Sequence, residues 1–364
     1  METLLLDPED VADSARTEEV IVAVEEAFAA YQAGDVQMPA KSYIELPAYN
    51  GDFRSMPAYM DAGDWDAAGI KWVNVHTDNA DEHDLPTVMG TMIYSDPTTA
   101  FPLAIMDGTT LTRQRTGAAA AVATDHLAVE DAASLGIVGA GVQSYTQLEA
   151  ISVVRDIEEV VVADRRAAAV EAFVDRFSDR FDVRGGPIAE AAGCDVLSTV
   201  TPVRSPIVEA ADVGDHTHIN AMGADAAGKQ ELDPAILPEA TLVIDDYEQC
   251  THSGEINVAW SEGRIDDDDI YAEVGEIVAG ATPGRTDADA GRGNASEPSV
   301  ADAPENAVEH SSTSPPSQAR EDGVTVFDST GLAIQDVATA HVVYEHADEH
   351  GTGTRFDLVD TTVR

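Results

Sequence analysis

The spacing of apolar positions along the chain changes character at about residue 112 and again at about residue 282. Residues 17–33 repeat at helical spacing, with Val20, Val24, Phe28 and Tyr31 on one face. Thr17 suits the N-cap, Glu18 and Glu19 favour the positive end of the helix dipole, and Gly34 supplies a stop. Strand-like runs follow: SYIEL (42–46), FRSMPAY (53–59), AGIKWVNV (68–75), LPTVMGTMIY (85–94) and FPLAIMD (101–107). Glycine, proline and Asn-Gly signals separate them, so residues 40–108 predict a sheet of short, mostly antiparallel strands.

Beyond residue 112 the texture is different. TRQRTGAAAAVATDHLA (112–128) reads as an alanine-rich helix, and SLGIVGAG (134–141) as a buried strand ending in glycines. To about residue 280, β-branched runs at 157–164, 194–201, 218–224 and 240–246 alternate with helical stretches such as 167–177. That alternation predicts an α/β fold with a parallel sheet covered by helices. Residues 282–322 are rich in Pro, Ser, Ala, Gly and acids, which predicts a disordered surface insertion. VTVFDSTG (324–331) then reads as a strand and turn, and residues 332–347 as a final helix.

Composition narrows the setting. The 364 residues carry 68 acidic against 20 basic side chains, a net charge of −48. Self-repulsion on this scale destabilises a compact state unless salt screens it, which points to a salt-rich cytoplasm such as that of an extreme halophile. No basic stripe is available for nucleic acid, and no run of about 18 apolar residues is available to span a membrane. The N-terminus has no basic region before its short apolar run, so a signal peptide is not expected. Cys194 and Cys250 lack metal-ligand or disulfide spacing, and so do His76, His216, His218 and His252. Asp266 to Asp269 reads as a solvated acidic turn, and no metal site is expected.

Lysine is nearly absent: only Lys41, Lys71 and Lys229 occur beside 17 arginines. A lysine kept in such a sequence is a candidate for what arginine cannot do, namely shift its pKa on burial and exchange a proton.

Two signals carry chemistry. Gly139, Ala140, Gly141, Val142 and Gln143 follow a strand and open a helix, as a pyrophosphate-binding turn requires, although Ser144 replaces the third glycine of the usual fingerprint. Asp164 ends the next strand, placed to accept from a ribose 2′-OH, which favours NAD over NADP. Arg165 and Arg166 follow, able to stack on adenine or reach a phosphate. The second signal is charge set in apolar surroundings. Arg54, Lys71, Arg115 and Asp225 each interrupt an apolar or small-residue pattern, which is expensive unless paired or functional. Such cations around one pocket would grip a small carboxylate, and a buried lysine beside it would trade protons with an amine or water.

The segments QMPAKSYIEL, GDFRSMPAY, GIKWVNVHTDN, LPTVMGTMI, RTGAAAAVA, GAGVQS, HINAMGADAAGKQELD, HSGEINVA and VFDSTGLAIQDVA together resemble the ornithine cyclodeaminase/μ-crystallin family, most of all its archaeal alanine dehydrogenases. The resemblance implies a Rossmann domain (113–323) inserted into an α+β substrate and dimerisation domain formed from residues 1–112 and 324–364. It implies NAD-dependent oxidative deamination of L-alanine, with ornithine cyclodeamination or cyclic ketimine reduction as alternatives, in a homodimer. By the same resemblance, Lys71 handles protons at the reacting amine and Asp225 assists, while Lys41, Arg54 and Arg115 hold the substrate carboxylate. Arg115 also reaches the cofactor, and Ala140, Gln143, Asp164, Thr201 and Ser329 lie on segments lining it. Lys229 and Glu255 receive no role.

Overall fold

The computed structural model describes residues 1–285 and 323–360. Two eight-stranded sheets organise them. The first runs in the spatial order Thr354–Phe356, Thr3–Leu6, Pro102–Asp107, Val88–Ser95, Asp66–His76, Gly51–Asp61 and Val36–Gln37, with Ser42–Leu46 also paired to Gly51–Asp61. Its pairings are antiparallel except where Thr3–Leu6 lies parallel to Pro102–Asp107. Both chain ends therefore build it. The strands are not uniformly short as expected. Gly51–Asp61 and Asp66–His76 form one ladder of eleven residues each, from Gly51 opposite His76 to Asp61 opposite Asp66. Pro57 does not break it, because residues 56–58 fall between the short flanking strands, where the other edge is open and a missing N–H costs little.

The second sheet is wholly parallel, in the order Asp182–Gly185, Glu159–Ala163, Ser134–Val138, Val196–Thr199, His218–Ala221, Thr325–Asp328, Thr241–Ile244 and Ile270–Glu273. Its first five strands have the doubly wound dinucleotide-binding order, with the direction of winding reversing between Ser134–Val138 and Val196–Thr199. The division expected at residue 324 is corrected here. Thr325–Asp328 is buried at every position and sits between His218–Ala221 and Thr241–Ile244, so the chain returns to the first sheet only after residue 328. The pattern identifies a buried strand, but its sheet is decided by long-range pairing that local sequence does not encode.

Three helices join the sheets. Thr17–Ala33 has the expected bounds, but its cap lies one residue earlier, at Arg16 rather than Thr17, and it closes on left-handed Gly34. Gly108–Leu127 starts four residues early, capped by Asp107, whose Oδ2 accepts from Thr110 N at 2.6 Å. Its run from Arg115 to Thr124 is buried throughout, because it packs against Thr17–Ala33 and Val142–Val154 and alanine lets the backbones approach. Ala333–His350 closes the layer over the first sheet.

Residues 282–285, expected to open the insertion, are packed: Thr282 and Arg285 are buried, and the Arg285 guanidinium donates to the carbonyls of His216 (3.0 Å) and Gly323. The rest of the expected insertion lies outside the described residues. Among the described residues no helix is long and apolar enough to cross a membrane.

Candidate active site

A cleft of about 550 Å³ opens between the sheets, at the carboxyl edge of the parallel one. Its walls carry Lys41, Arg54, Lys71, Arg115, Asp225 and Lys229 on one side and Gly141, Val142, Gln143, Thr201 and Ser329 on the other. Residues spread over some 290 positions thus meet in one place. Every lysine of the chain is among them.

The glycine turn follows from local sterics. Gly139 adopts φ 106°, and a Cβ there would stand 2.9 Å from Thr201 Cγ2 and 3.0 Å from Val200 O. Gly141 faces open space, leaving its backbone and the start of Val142–Val154 accessible to a ligand. Asp164 holds this turn: Oδ2 accepts from Ala140 N at 2.9 Å, and Oδ1 from Arg166 N at 2.8 Å and Nε at 3.2 Å. Gly139, Ala140, Asp164 and Arg165 are not on the cleft wall, and Arg165 is exposed. On the wall, the buried Gln143 Oε1 has no partner among the described residues. A bare glycine turn, a helix start and an unsatisfied acceptor fit a dinucleotide pyrophosphate and its polar groups.

Lys71 occupies a core position of its strand. It lies in register between Met56 and Met92, with Trp72 turned to the opposite face. Burial draws its pKa down to about 8, against the opposing charge of Asp336. Nζ donates to Asp336 Oδ1 at 2.7 Å and Thr112 Oγ1 at 3.1 Å. Arg115 lies alongside: NH1 donates to Gln335 Oε1 at 3.1 Å, and Nε stands 3.5 Å from Asp336 Oδ1. Its guanidinium crosses Gly331 (φ 77°), where a Cβ would fall 2.1 Å from NH1. Lys41 Nζ donates to Thr330 O at 3.2 Å, and desolvation lowers its pKa against nearby Asp245.

A second charge cluster closes the mouth. Arg54 forms a two-pronged pair with Asp52 (2.9 and 3.1 Å) and reaches Asp225 Oδ2 at 3.2 Å. Lys229 Nζ binds the other oxygen of Asp225. Burial opposes ionisation of Asp225, but Lys229 and Arg54 outweigh it and hold the carboxyl below its usual range. Asp225 is therefore an anion between two cations.

The sequence model of the ornithine cyclodeaminase/mu-crystallin family matches residues 1–290 and 315–351. The chain belongs to this family. It is 44% identical to the alanine dehydrogenase of Archaeoglobus fulgidus over 356 residues, 98% of each chain. A solved archaeal alanine dehydrogenase dimer with bound NAD has the same fold, with a TM-score of 0.85 at 44% identity, covering 99% of this chain and all of that one. The Δ1-pyrroline-2-carboxylate reductase of Thermococcus litoralis, solved with NADH and L-proline, gives a TM-score of 0.83 at 34% identity over 97% of this chain and 99% of that one.

Of the two residues that sequence reasoning left open, Lys229 lies on the cleft wall and Glu255 acts as scaffold. Glu255, almost wholly buried, accepts from Glu231 N at 2.8 Å and Leu232 N at 2.7 Å. Glu231 in turn holds Thr201 through N and Oγ1, both at 2.7 Å, and Gly223 N at 3.0 Å. The buried Asn257 side chain binds Gly228 N and Lys229 O, each at 2.8 Å, and so fixes the turn that presents Lys229. Asp245 accepts from Ser329 Oγ (2.8 Å) and Gly331 N (2.9 Å), fixing the turn beneath Arg115 and Lys41. His218 is a core residue, bonded to Thr325 and Asn220 and driven by burial to a pKa of about 3.

Asp336, Gln335 and Asp52 touch the site's cations and were missed from sequence. Asp336 in LAIQDVA reads as an acid in a first helical turn, and only the packing of that helix against Lys71 reveals more.

Proposed function

We propose that this protein is an NAD-dependent dehydrogenase converting L-alanine, NAD and water reversibly to pyruvate, ammonium, NADH and a proton. The observation that carries the reading is Lys71, buried and poised near neutral pH, in one cleft with Arg54, Arg115 and Lys41 and opposite a bare glycine turn. The likeness to alanine dehydrogenase over 98% of both chains supports it.

NAD, when bound, takes the hydride from the substrate Cα. The protein does the rest. Arg54, Arg115 and Lys41 hold the carboxylate and fix which face of Cα is presented. Lys71 removes a proton from the ammonium group before hydride departure, then moves protons as water adds to the substrate imine and ammonia leaves. Asp225 accepts or orders the attacking water. Asp164 and Arg165 face the adenosine end, and Gly139 to Gln143, Thr201 and Ser329 the pyrophosphate and nicotinamide side.

The cleft favours a small apolar substituent over a second amine. Met56, Val73, Val75 and Val88 line it, and its acidic wall residue, Asp225, is already matched to Arg54 and Lys229. Ornithine would need an acid free to receive its distal ammonium. The assay is direct: in concentrated potassium chloride, NADH absorbance and proline formation are followed with L-alanine and with L-ornithine. NADH accumulation with L-alanine is expected. Proline from ornithine without NADH would replace this reading with the cyclodeaminase, and reduction of a cyclic imine alone would replace it with the reductase.

The first sheet's outer face supports a homodimer, since Ile44, Trp72 and Ile93 are exposed on it. Light scattering should give twice the mass of 38.4 kDa. The charge of −48 supports a salt-rich cytoplasm as the setting.

A further inference from the structure

Lys71 takes its bonded anion from the far end of the chain. Asp336 stands in the first turn of Ala333–His350 and has no exposure to solvent. Its Oδ1 serves two cations, Lys71 Nζ at 2.7 Å and Arg115 Nε at 3.5 Å, while buried Oδ2 has no partner among the described residues. One carboxylate thus faces two buried cations, a poor arrangement for stability by itself. An ion pair that served only stability would use both oxygens. The surroundings hold this arrangement in place. Gln335 Oε1 takes Arg115 NH1 and Leu332 N, both at 3.1 Å, and Thr112 Oγ1, which is 3.1 Å from Lys71, donates to Gly108 O at 2.6 Å. The charged groups facing Lys71 are Asp336 from the closing helix, Arg115 from Gly108–Leu127 and Lys41 from the segment before Ser42–Leu46. Burial first, and then the two cations, favour loss of the proton from Lys71, and Asp336 opposes them.

We propose that Asp336 is a positioning residue that aims Lys71, stabilises its charged form against burial and couples it to Arg115. The proposal rests on the deamination reading for its effect on rate, but not for its effect on Lys71 itself. Asp336 is wholly buried and is not on the cleft wall. It acts through Lys71, which must begin each turnover in a defined protonation state.

The scarcity of lysine makes the test clean. Protein labelled at lysine 13Cε has three signals to follow, and the Lys71 signal is identified by its loss in Lys71→Met. In the unaltered protein the Lys71 signal should titrate near pH 8. In folded Asp336→Asn its midpoint should drop by about one to three pH units, the usual effect of removing an opposite charge in contact. The pH profile of kcat should move with it, while KM for the amino acid changes far less. An unmoved Lys71 midpoint in folded Asp336→Asn overturns the proposal. If that variant does not fold, Asp336→Glu decides instead. It keeps the charge but shifts its position, so the midpoint should stay within about half a unit while kcat falls roughly tenfold or more. Unaltered kcat in Asp336→Glu also overturns it. The titration needs neither substrate nor cofactor, so inactivity toward L-alanine would overturn the deamination reading and leave the Asp336 result standing.

Discussion

The outside of this protein and its cleft have opposite chemistry. The chain as a whole carries −48, and lysine is almost eliminated from it. The cleft gathers all three lysines and two arginines around Asp225. The contrast shows what each cation is used for. On a surface this acidic, a strongly hydrated ammonium on a flexible stem is dispensable. In the cleft it is not dispensable, because burial can bring lysine into the working pH range while arginine stays charged.

Six tests would break or sharpen that contrast. The largest effect should come from Lys71→Ala, which removes the poised group and should lower kcat by about 10²- to 10⁴-fold in steady-state assays, with NAD binding retained. A loss confined to KM would mean that Lys71 only binds substrate. In the unaltered protein, alanine oxidation should rise as pH passes about 8, since the lowered pKa of Lys71 makes it a free base above that point.

Salt withdrawal should act next, and on the outside. Between about 1 M and about 0.1 M salt the screening length grows from about 3 Å to about 10 Å, exposing the acids to one another. Thermal unfolding should shift to much lower temperature over that range. A flat response would remove the salt argument.

Lys229→Ala should release Asp225 toward Arg54 alone and cost about tenfold in kcat/KM. Lys229→Arg, which keeps a charge on the fixed turn, should recover part of it. Equal loss in both would show that Asn257 and the turn matter and the ammonium does not.

The smallest effect should come from the surface. Glu171→Lys with Asp175→Lys, both exposed on helix Ala167–Phe177, should change stability by no more than about 0.5 kcal/mol each in concentrated salt. In dilute salt the same pair should stabilise by relieving repulsion. Mild acidification offers a related check on the buried acids. Burial raises Asp328 to a pKa of about 7 and Glu273 likewise to about 7. For acids raised above their unfolded values, stability is lost as pH climbs through about 7 and regained below it. The melting temperature should therefore rise from pH 8 to pH 6 even in concentrated salt, where general repulsion is screened.

Much of this was legible in the sequence. Helix 17–33, the glycine turn and the parallel alternation all have local causes, namely period, capping and the steric freedom of Gly139. Arg54, Lys71, Arg115 and Asp225 stood out because a charge in an apolar run needs a reason, and the structure brings all four into one cleft. The errors had non-local causes. Thr325–Asp328 belongs to the parallel sheet although a buried strand looks alike in either, and the runs 53–59 and 68–75 extend to eleven residues each because pairing carries both strands beyond their apolar pattern.

The sequence by itself determined most of the elements, the strongly acidic composition and the short list of charges that had to be paired or used, since each is a property of neighbours in the chain and of overall composition. Tertiary structure alone decided the partners. Asp336 reaches Lys71 across 265 positions, Asp225 lies between Arg54 and Lys229, and Glu255 supports the Thr201 loop through Glu231. Electrostatic contacts of a few ångströms set protonation and aim, and no local pattern records which distant residue will provide them.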